Sequence, residues 1–250
     1  MMIERGAYGE WLISVARIFL GAPYRAATLE KPGPERLRVE LSAFDCVTYV
    51  ETVLALSACA DQGKISQTQF RKNLQEIRYR GGKIEGFASR LHYFSDWISD
   101  NEKKRVVAGV SKGQGGAPLR KKISFMTSHR DAYPALKQET EFQRMQEAEK
   151  RLSRKAIRMF GRSDLLSAAD RIFPGDIVAF VTNAEGLDVA HVGFAVKEGR
   201  ALRLMHASRK EGKVAISGQT LSAYVKARRS LAGVIIARPL PGGAWKTAGR

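Results

Sequence analysis

The chain has 250 residues, 44% of them hydrophobic, and carries 42 Lys and Arg against 25 Asp and Glu, a formal net charge of +17. That length and apolar content exclude a disordered chain and leave one large domain or two small ones, on a prior of roughly 150 residues per domain. The positive balance favours polyanionic partners such as nucleic acid, acidic polymers or anionic membrane surfaces, without choosing among them.

Tyr8 to Leu20 reads as a helix because Trp11, Leu12, Val15, Ile18 and Phe19 recur at offsets of three and four. Gly21, Ala22 and Pro23 stop it. The opening stretch places Glu4 and Glu10 ahead of the apolar run and has no basic segment leading into a clean apolar core, so no secretory signal is expected. Arg17 interrupts that run well short of the roughly 18 residues a membrane helix needs, and no membrane insertion is expected. Pro32 to Pro34 is a turn-rich connector, and RLRVELS, Arg36 to Ser42, alternates as a short strand or extended arm.

FDCVTYVETVLAL, Phe44 to Leu56, opens the next helix. Val47, Val50, Leu54 and Ala58 form one apolar stripe and Tyr49, Val53, Leu56 and Ala60 a second, so the helix should be packed on more than one side. Cys46 and Cys59, the two cysteines, lie thirteen residues apart on it, about 20 Å at 1.5 Å per residue and too far for a disulfide. Gln67 to Arg80 and Ser89 to Arg105 read as amphipathic helices. Val110 to Lys122 reads as a loop whose glycines lack the ending of a phosphate-binding loop, and Glu139 to Gly161 as one long charged helix. After Pro174 and Gly175 come DIVAFV, AHVGFAV, ALRLMHAS, KVAIS and AGVIIARP, the pattern of a meandering antiparallel sheet. Helices first and strands afterwards predict an α+β fold. The expected layout is a single catalytic domain over 1–250, with a helical insertion over about 63–170 and the sheet over about 174–240.

Within HVGFAVKEGRALRLMH, a two-residue turn at Glu198 and Gly199 would set His191 opposite His206, both on one face. Gly193 and Ala195 would follow on that face and leave room for a helix. A turn at Gly199 and Arg200 would set Ser208 opposite His191 instead. A thiol in the first turn of a helix feels unpaired N–H groups and the helix dipole, which favour thiolate. Cys46 is therefore the candidate nucleophile, His191 its base and His206 the group that orients His191, with the Cys46 N–H as oxyanion donor.

Asp45 beside the thiol opposes thiolate unless engaged elsewhere, as a helix N-cap or by a substrate amine, and Ser42 competes for the cap. The competing reading of Cys46 is a small core residue, the commoner place for a lone cysteine on an apolar helix. Cys59 fits that reading well. With no CxxC pair and scattered histidines, no metal site is signalled, and no cofactor is implied.

The ordered set LGAPY, FDC, PGDIVAF, HVGFAV and MHAS resembles the NlpC/P60 cysteine peptidases, papain-like enzymes that cut the peptide stems of peptidoglycan. FDCVTYVETVLAL, RLHYFSDWI and GLDVAHVGFAV are similar to the branch of that superfamily catalogued as the domain of unknown function 1460. The resemblance spans Leu20 to Pro239. It implies a papain-like core in which a central helix carrying the cysteine packs on an antiparallel sheet carrying the histidine, with extra helices. It also implies a Cys46, His191 and His206 triad, Tyr24 and Asp45 at the cleft, and N-acetylmuramoyl-L-alanine amidase activity on peptidoglycan or muropeptides. His92 and Tyr93 are nominated as cleft residues. Val47 and Thr48 stand where the superfamily usually has serine and glycine.

That substrate would place the protein in the periplasm or envelope, or in the cytoplasm for recycled fragments. The competing readings are an endopeptidase cutting between D-glutamate and the diamino acid, and zinc hydrolysis with Cys46 and the histidines as ligands. A third is a basic nucleic-acid or wall-polymer binding module. Nucleic acid is not expected, because stacking aromatics are sparse around KRLSRKAIRMF.

Overall fold

The structure, a computed structural model, describes residues 5–31, 33–165 and 167–245. Among the described residues eight α-helices, α1 (Arg5–Arg17), α2 (Cys46–Asp61), α3 (Gln67–Arg78), α4 (Phe94–Lys103), α5 (Val110–Gly113), α6 (Phe125–Ser128), α7 (Glu139–Ser153) and α8 (Leu221–Lys226), accompany one antiparallel sheet. Its strands are β1 (Val107–Gly109), β2 (Ala117–Leu119), β3 (Ile157–Gly161), β4 (Ile177–Thr182), β5 (Val189–Glu198), β6 (Ala201–Ser208), β7 (Lys213–Thr220) and β8 (Leu231–Pro239). The order is β2-β3-β8-β4-β5-β6-β7, and β1 also pairs with β8. This is the expected α+β arrangement, with the cysteine helix packed on the strands that carry the histidines. None of the described helices is long and apolar enough to cross a membrane.

α2 is central for the reason its two stripes suggest. Residues from Thr48 to Cys59 are buried on every side except at Leu56, and the helix packs against α1, α3, β5 and β6. Tyr49 stands at its base, its hydroxyl donating to Ala16 O at 3.1 Å and its ring edge-on to Phe194 at 5.8 Å. Such edge-to-face pairs add to the burial of the rings themselves. Burying so many α2 side chains also buries Glu51, whose carboxylate takes Arg78 Nε at 2.6 Å and Trp97 Nε1 at 3.1 Å.

Several elements differ from expectation. The charged helix ends at Ser153, and Ile157–Gly161 is strand β3, with Phe160 buried opposite Val234 of β8. The stretch 110–122 holds α5 and β2 as well as loop, and the segment 63–170 contributes three strands to the sheet, so it is not a purely helical insertion. The helix expected from Ser89 begins at Phe94. Ahead of it Phe87–Ser89 form a short 3-10 turn, Tyr79 bridges Arg90, Leu91 N donates to Arg78 O at 2.9 Å and His92 N donates to Arg90 O at 3.0 Å in a tight turn. Of the two readings of RLRVELS the structure takes the extended arm, tied by Arg78 at the end of α3, whose Nη1 donates to Arg38 O at 2.6 Å, and by the Tyr79 hydroxyl, 3.2 Å from Arg36 O. Of the proline connector, Pro32 lies outside the described residues.

Candidate active site

Asp45 is the N-cap of α2. Its Oδ1 accepts the N–H groups of Val47 at 3.0 Å and Thr48 at 2.8 Å, while Thr48 Oγ1 accepts the Asp45 N–H at 3.0 Å. This reciprocal pair closes a capping box. Ser42, the competing cap, bonds Glu40 instead. Cys46 is thus the first residue of the helix. The cap takes the next two N–H groups and leaves that of Cys46 unused by the carboxylate.

Cys46 is half-buried as a residue, and its thiol is the enclosed part. Burial and the neighbouring Asp45 charge push it up to about 12, while the backbone N–H groups of Val192, Cys46 and Val47 act the other way. Desolvation therefore outweighs the helix terminus, and the resting group is a thiol, where the helix dipole alone suggested thiolate. Tyr24 stands close by: burial raises its phenol, and the charges of Cys46 and Asp45 add to the rise. Its backbone N–H donates to Gly212 O at 2.7 Å, and the residue bridges Phe44.

His191 Nε2 and His206 Nδ1 are 2.6 Å apart. The register that brings them together is the one ranked second from sequence. Glu198 pairs with Ala201 and Phe194 with Met205, so the turn is Gly199 and Arg200. Gly199, at φ +61°, takes the left-handed first position that a glutamate there would resist. The same register carried one step on sets Gly193 opposite His206, leaving His191 as its diagonal neighbour. A Cβ on Gly193 would lie 2.9 Å from His206 Cβ. The missing side chain gives the His206 ring room to lean toward His191, and Ser208 instead accepts Glu211 N–H at 3.2 Å.

The space beside Gly193 is filled by β6 and not by a helix, as the sequence suggested. Val192, Phe194 and Val196 face the core around α2, whereas Ala195 packs with Phe180 and Leu204 in a second core on the other face. Burial, then His206, then Arg228 push His191 down to about 3, and burial followed by Arg228 pushes His206 down to about 4. Both imidazoles are neutral at ordinary pH.

A cavity of about 200 Å³ opens on Cys46, with Asp45, Glu51, Arg78, Arg90 and His92 among its walls. His92 therefore reaches the cleft. Its Nε2 lies 2.9 Å from Phe87 O, and burial keeps it well below the usual histidine range. Tyr93 does not reach it. Its hydroxyl is buried elsewhere, donating to Glu149 at 2.6 Å and accepting Met126 N–H at 2.9 Å. A larger cavity of about 610 Å³, walled by residues such as Ile98, Leu152 and Ile157, contains neither cysteine nor histidine. Among the described residues no group of three His, Cys, Asp or Glu side chains is placed to share a metal ion.

Three further residues stand beside the site, two of them, Asp188 and Phe180, inside GLDVAHVGFAV and PGDIVAF but without a role assigned from sequence. Asp188, buried just ahead of β5, accepts Ser95 N–H at 2.7 Å and so caps α4 in place of Tyr93, which makes no side-chain cap bond. Phe180 stacks on His191 at 5.9 Å, and the rings of Tyr224, on α8, and His206 stand perpendicular with their centroids 5.9 Å apart.

The fold and this arrangement fall in the class of amidase-like hydrolases. The chain belongs to the AmiA-like, N-acetylmuramoyl-L-alanine amidase-like family, whose profile matches residues 14–234. It is 38% identical to an N-acetylmuramoyl-L-alanine amidase of Bacteroides uniformis, with a TM-score of 0.88 over 94% of this chain and 99% of that one. A Bacteroides fragilis protein provisionally called a xylanase is 37% identical, with a TM-score of 0.81 over 90% of this chain and 99% of that one. A Legionella pneumophila protein of the domain of unknown function 1460 family shares the fold at a TM-score of 0.68 and 23% identity, over 94% of this chain and 89% of that one. No curated protein sequence matches the chain.

Proposed function

We propose that the protein is a cysteine amidase acting on peptidoglycan or its soluble fragments, and that it splits the amide between the lactyl group of N-acetylmuramic acid and L-alanine. The whole chain serves as one catalytic domain. Family membership supports the amidase reading. The mechanism rests on one observation: the imidazole pair joined at 2.6 Å on strands that carry α2, with the Cys46 thiol against the N–H of the residue after His191.

In this reading His191, tied to His206 through Nε2, keeps Nδ1 as the base. Since thiol and imidazole are both neutral at rest, the proton leaves Sγ for Nδ1 as sulfur attacks the carbonyl carbon. The Cys46 N–H, unused by the Asp45 cap, receives the oxyanion. Collapse of the tetrahedral adduct breaks the C–N bond, His191 returns its proton to the leaving L-alanine nitrogen, and water then hydrolyses the thioester. Tyr24, Asp45 and His92 line the substrate's approach.

Digestion of defined muropeptides by the wild type and Cys46→Ala, read by mass spectrometry, tests this. Release of free N-acetylmuramic acid by the wild type and a loss of about a thousandfold or more in Cys46→Ala are expected. Release of an N-terminal dipeptide fragment instead would make the enzyme a stem endopeptidase, and undiminished activity in Cys46→Ala would remove the cysteine mechanism.

A further inference from the structure

We propose that Tyr224 and Arg228, at the end of α8, are positioning residues that hold His206 as a neutral acceptor for the His191 N–H. This rests on Cys46, His191 and His206 being the catalytic groups. If His191 Nδ1 takes the thiol proton, its Nε2 must carry a hydrogen and donate it to His206 Nδ1, 2.6 Å away. His206 then bears its own proton on Nε2, an atom that is buried and has no hydrogen-bond partner among the described residues. The Tyr224 ring stands at 87° to His206 with 5.9 Å between centroids. With the His206 edge directed at the Tyr224 face, this perpendicular contact gives an N–H without a conventional acceptor an electron-rich surface to meet.

Arg228 completes the device. Its guanidinium lies 3.4 Å above the Tyr224 ring, and its Nη1 donates to Tyr224 O at 2.8 Å, so the cation is fixed beside the histidines. A second proton on His206 would put a cation next to this one and turn Nδ1 from acceptor to donor, setting two N–H groups head to head. The charged or titratable groups around the pair are His191 on β5, Cys46 on α2, Tyr224 on α8, Arg228 two residues past the end of α8, and Glu211 in the β6–β7 turn, whose charge acts on Tyr224. Of these, Arg228 is the cation that acts on both imidazoles. α8 is itself held in place: Arg162 donates to Arg228 O at 2.8 Å and to Lys226 O at 2.9 Å.

The test has two arms. In ¹⁵N-histidine-labelled Cys46→Ala protein, NMR should show His206 as the neutral Nε2–H tautomer near neutral pH. Adding Arg228→Gln should raise its titration midpoint by about one pH unit, the size of a nearby charge's effect. In the active enzyme, Arg228→Gln should move the acid limb of kcat upward by a similar amount with KM unchanged. Tyr224→Leu should lower kcat about tenfold or more, as loss of an orienting partner does, and Tyr224→Phe, which keeps the ring, should restore it. An Nδ1–H tautomer for His206, or an unmoved titration and acid limb in Arg228→Gln, overturns the proposal. So does equal loss in Tyr224→Leu and Tyr224→Phe. An active Cys46→Ala protein would instead overturn the catalytic reading and this inference with it, whereas an inactive one with His206 unmoved by Arg228→Gln overturns the inference alone.

Discussion

Gly193 and His206 face each other across β5 and β6 so closely that a Cβ on the glycine would lie 2.9 Å from that of the histidine and 2.7 Å from Met205 O. Gly193→Ala must therefore push β6 away or tilt the His206 ring out of reach of His191. Overpacking of this kind costs about 1–3 kcal/mol. The expected outcome is a lower melting temperature and a loss of kcat of about a hundredfold, checked by calorimetry and muropeptide turnover.

Asp45 joins two effects that substitution separates. Asp45→Asn keeps an N-cap side chain but removes the charge that raises the Cys46 thiol, so stability should hold while the pH midpoint of iodoacetamide labelling falls. Asp45→Ala should shift the labelling in the same direction and also cost about 1 kcal/mol of stability from the lost cap. Equal melting temperatures for the two variants would count against the cap observed here.

The Glu51–Arg78 pair is buried, with side chains 2% and 4% exposed. Arg78→Met leaves a carboxylate in the core held by the Trp97 indole N–H alone among the described side chains and should destabilise by about 3–5 kcal/mol. Glu51→Gln together with Arg78→Met should recover part of that loss in urea unfolding, since the uncompensated charge is gone.

His191 and His206, held near 3 and 4 in the fold against an ordinary 6.5, bind protons more readily once unfolded. The unfolded state thus carries the excess of protons between those values, so stability rises with pH there. It should be full above about pH 6.5 and fall as pH drops toward 4, by at most about 1.4 kcal/mol per unit for each histidine. Melting temperatures measured from pH 7 to pH 4 should slope less in His206→Gln, which removes one of the two groups.

Much of the site was legible where local rules govern it. Asp45 and Thr48 are three residues apart and cap without help from the rest of the chain, so Cys46 could be placed at a helix start. The shared face of His191 and His206 survives a slip of two in register, because strand side chains repeat every second residue; this is why the pair was found although the turn was misplaced by one residue. What stayed hidden depends on distant partners. β3 reads as the tail of a charged helix because its reason for being extended is β8, more than seventy residues later. The i, i+4 spacing of Tyr224 and Arg228 hints at a stacked pair on a helix, but nothing local says that the pair leans on His206. Tyr93 neighbours His92 in the chain but not in the cleft, because its hydroxyl is claimed by Glu149 and Met126, partners far along the sequence.

β8 has neighbours along both edges: β4 on one, and β1 and β3 on the other. The middle third of the chain therefore cannot be pared away to leave a minimal enzyme. Trimming it would bare a largely buried, valine- and isoleucine-bearing edge, an invitation to intermolecular pairing. Whatever that region adds at the cleft, the sheet has come to depend on it for its own closure.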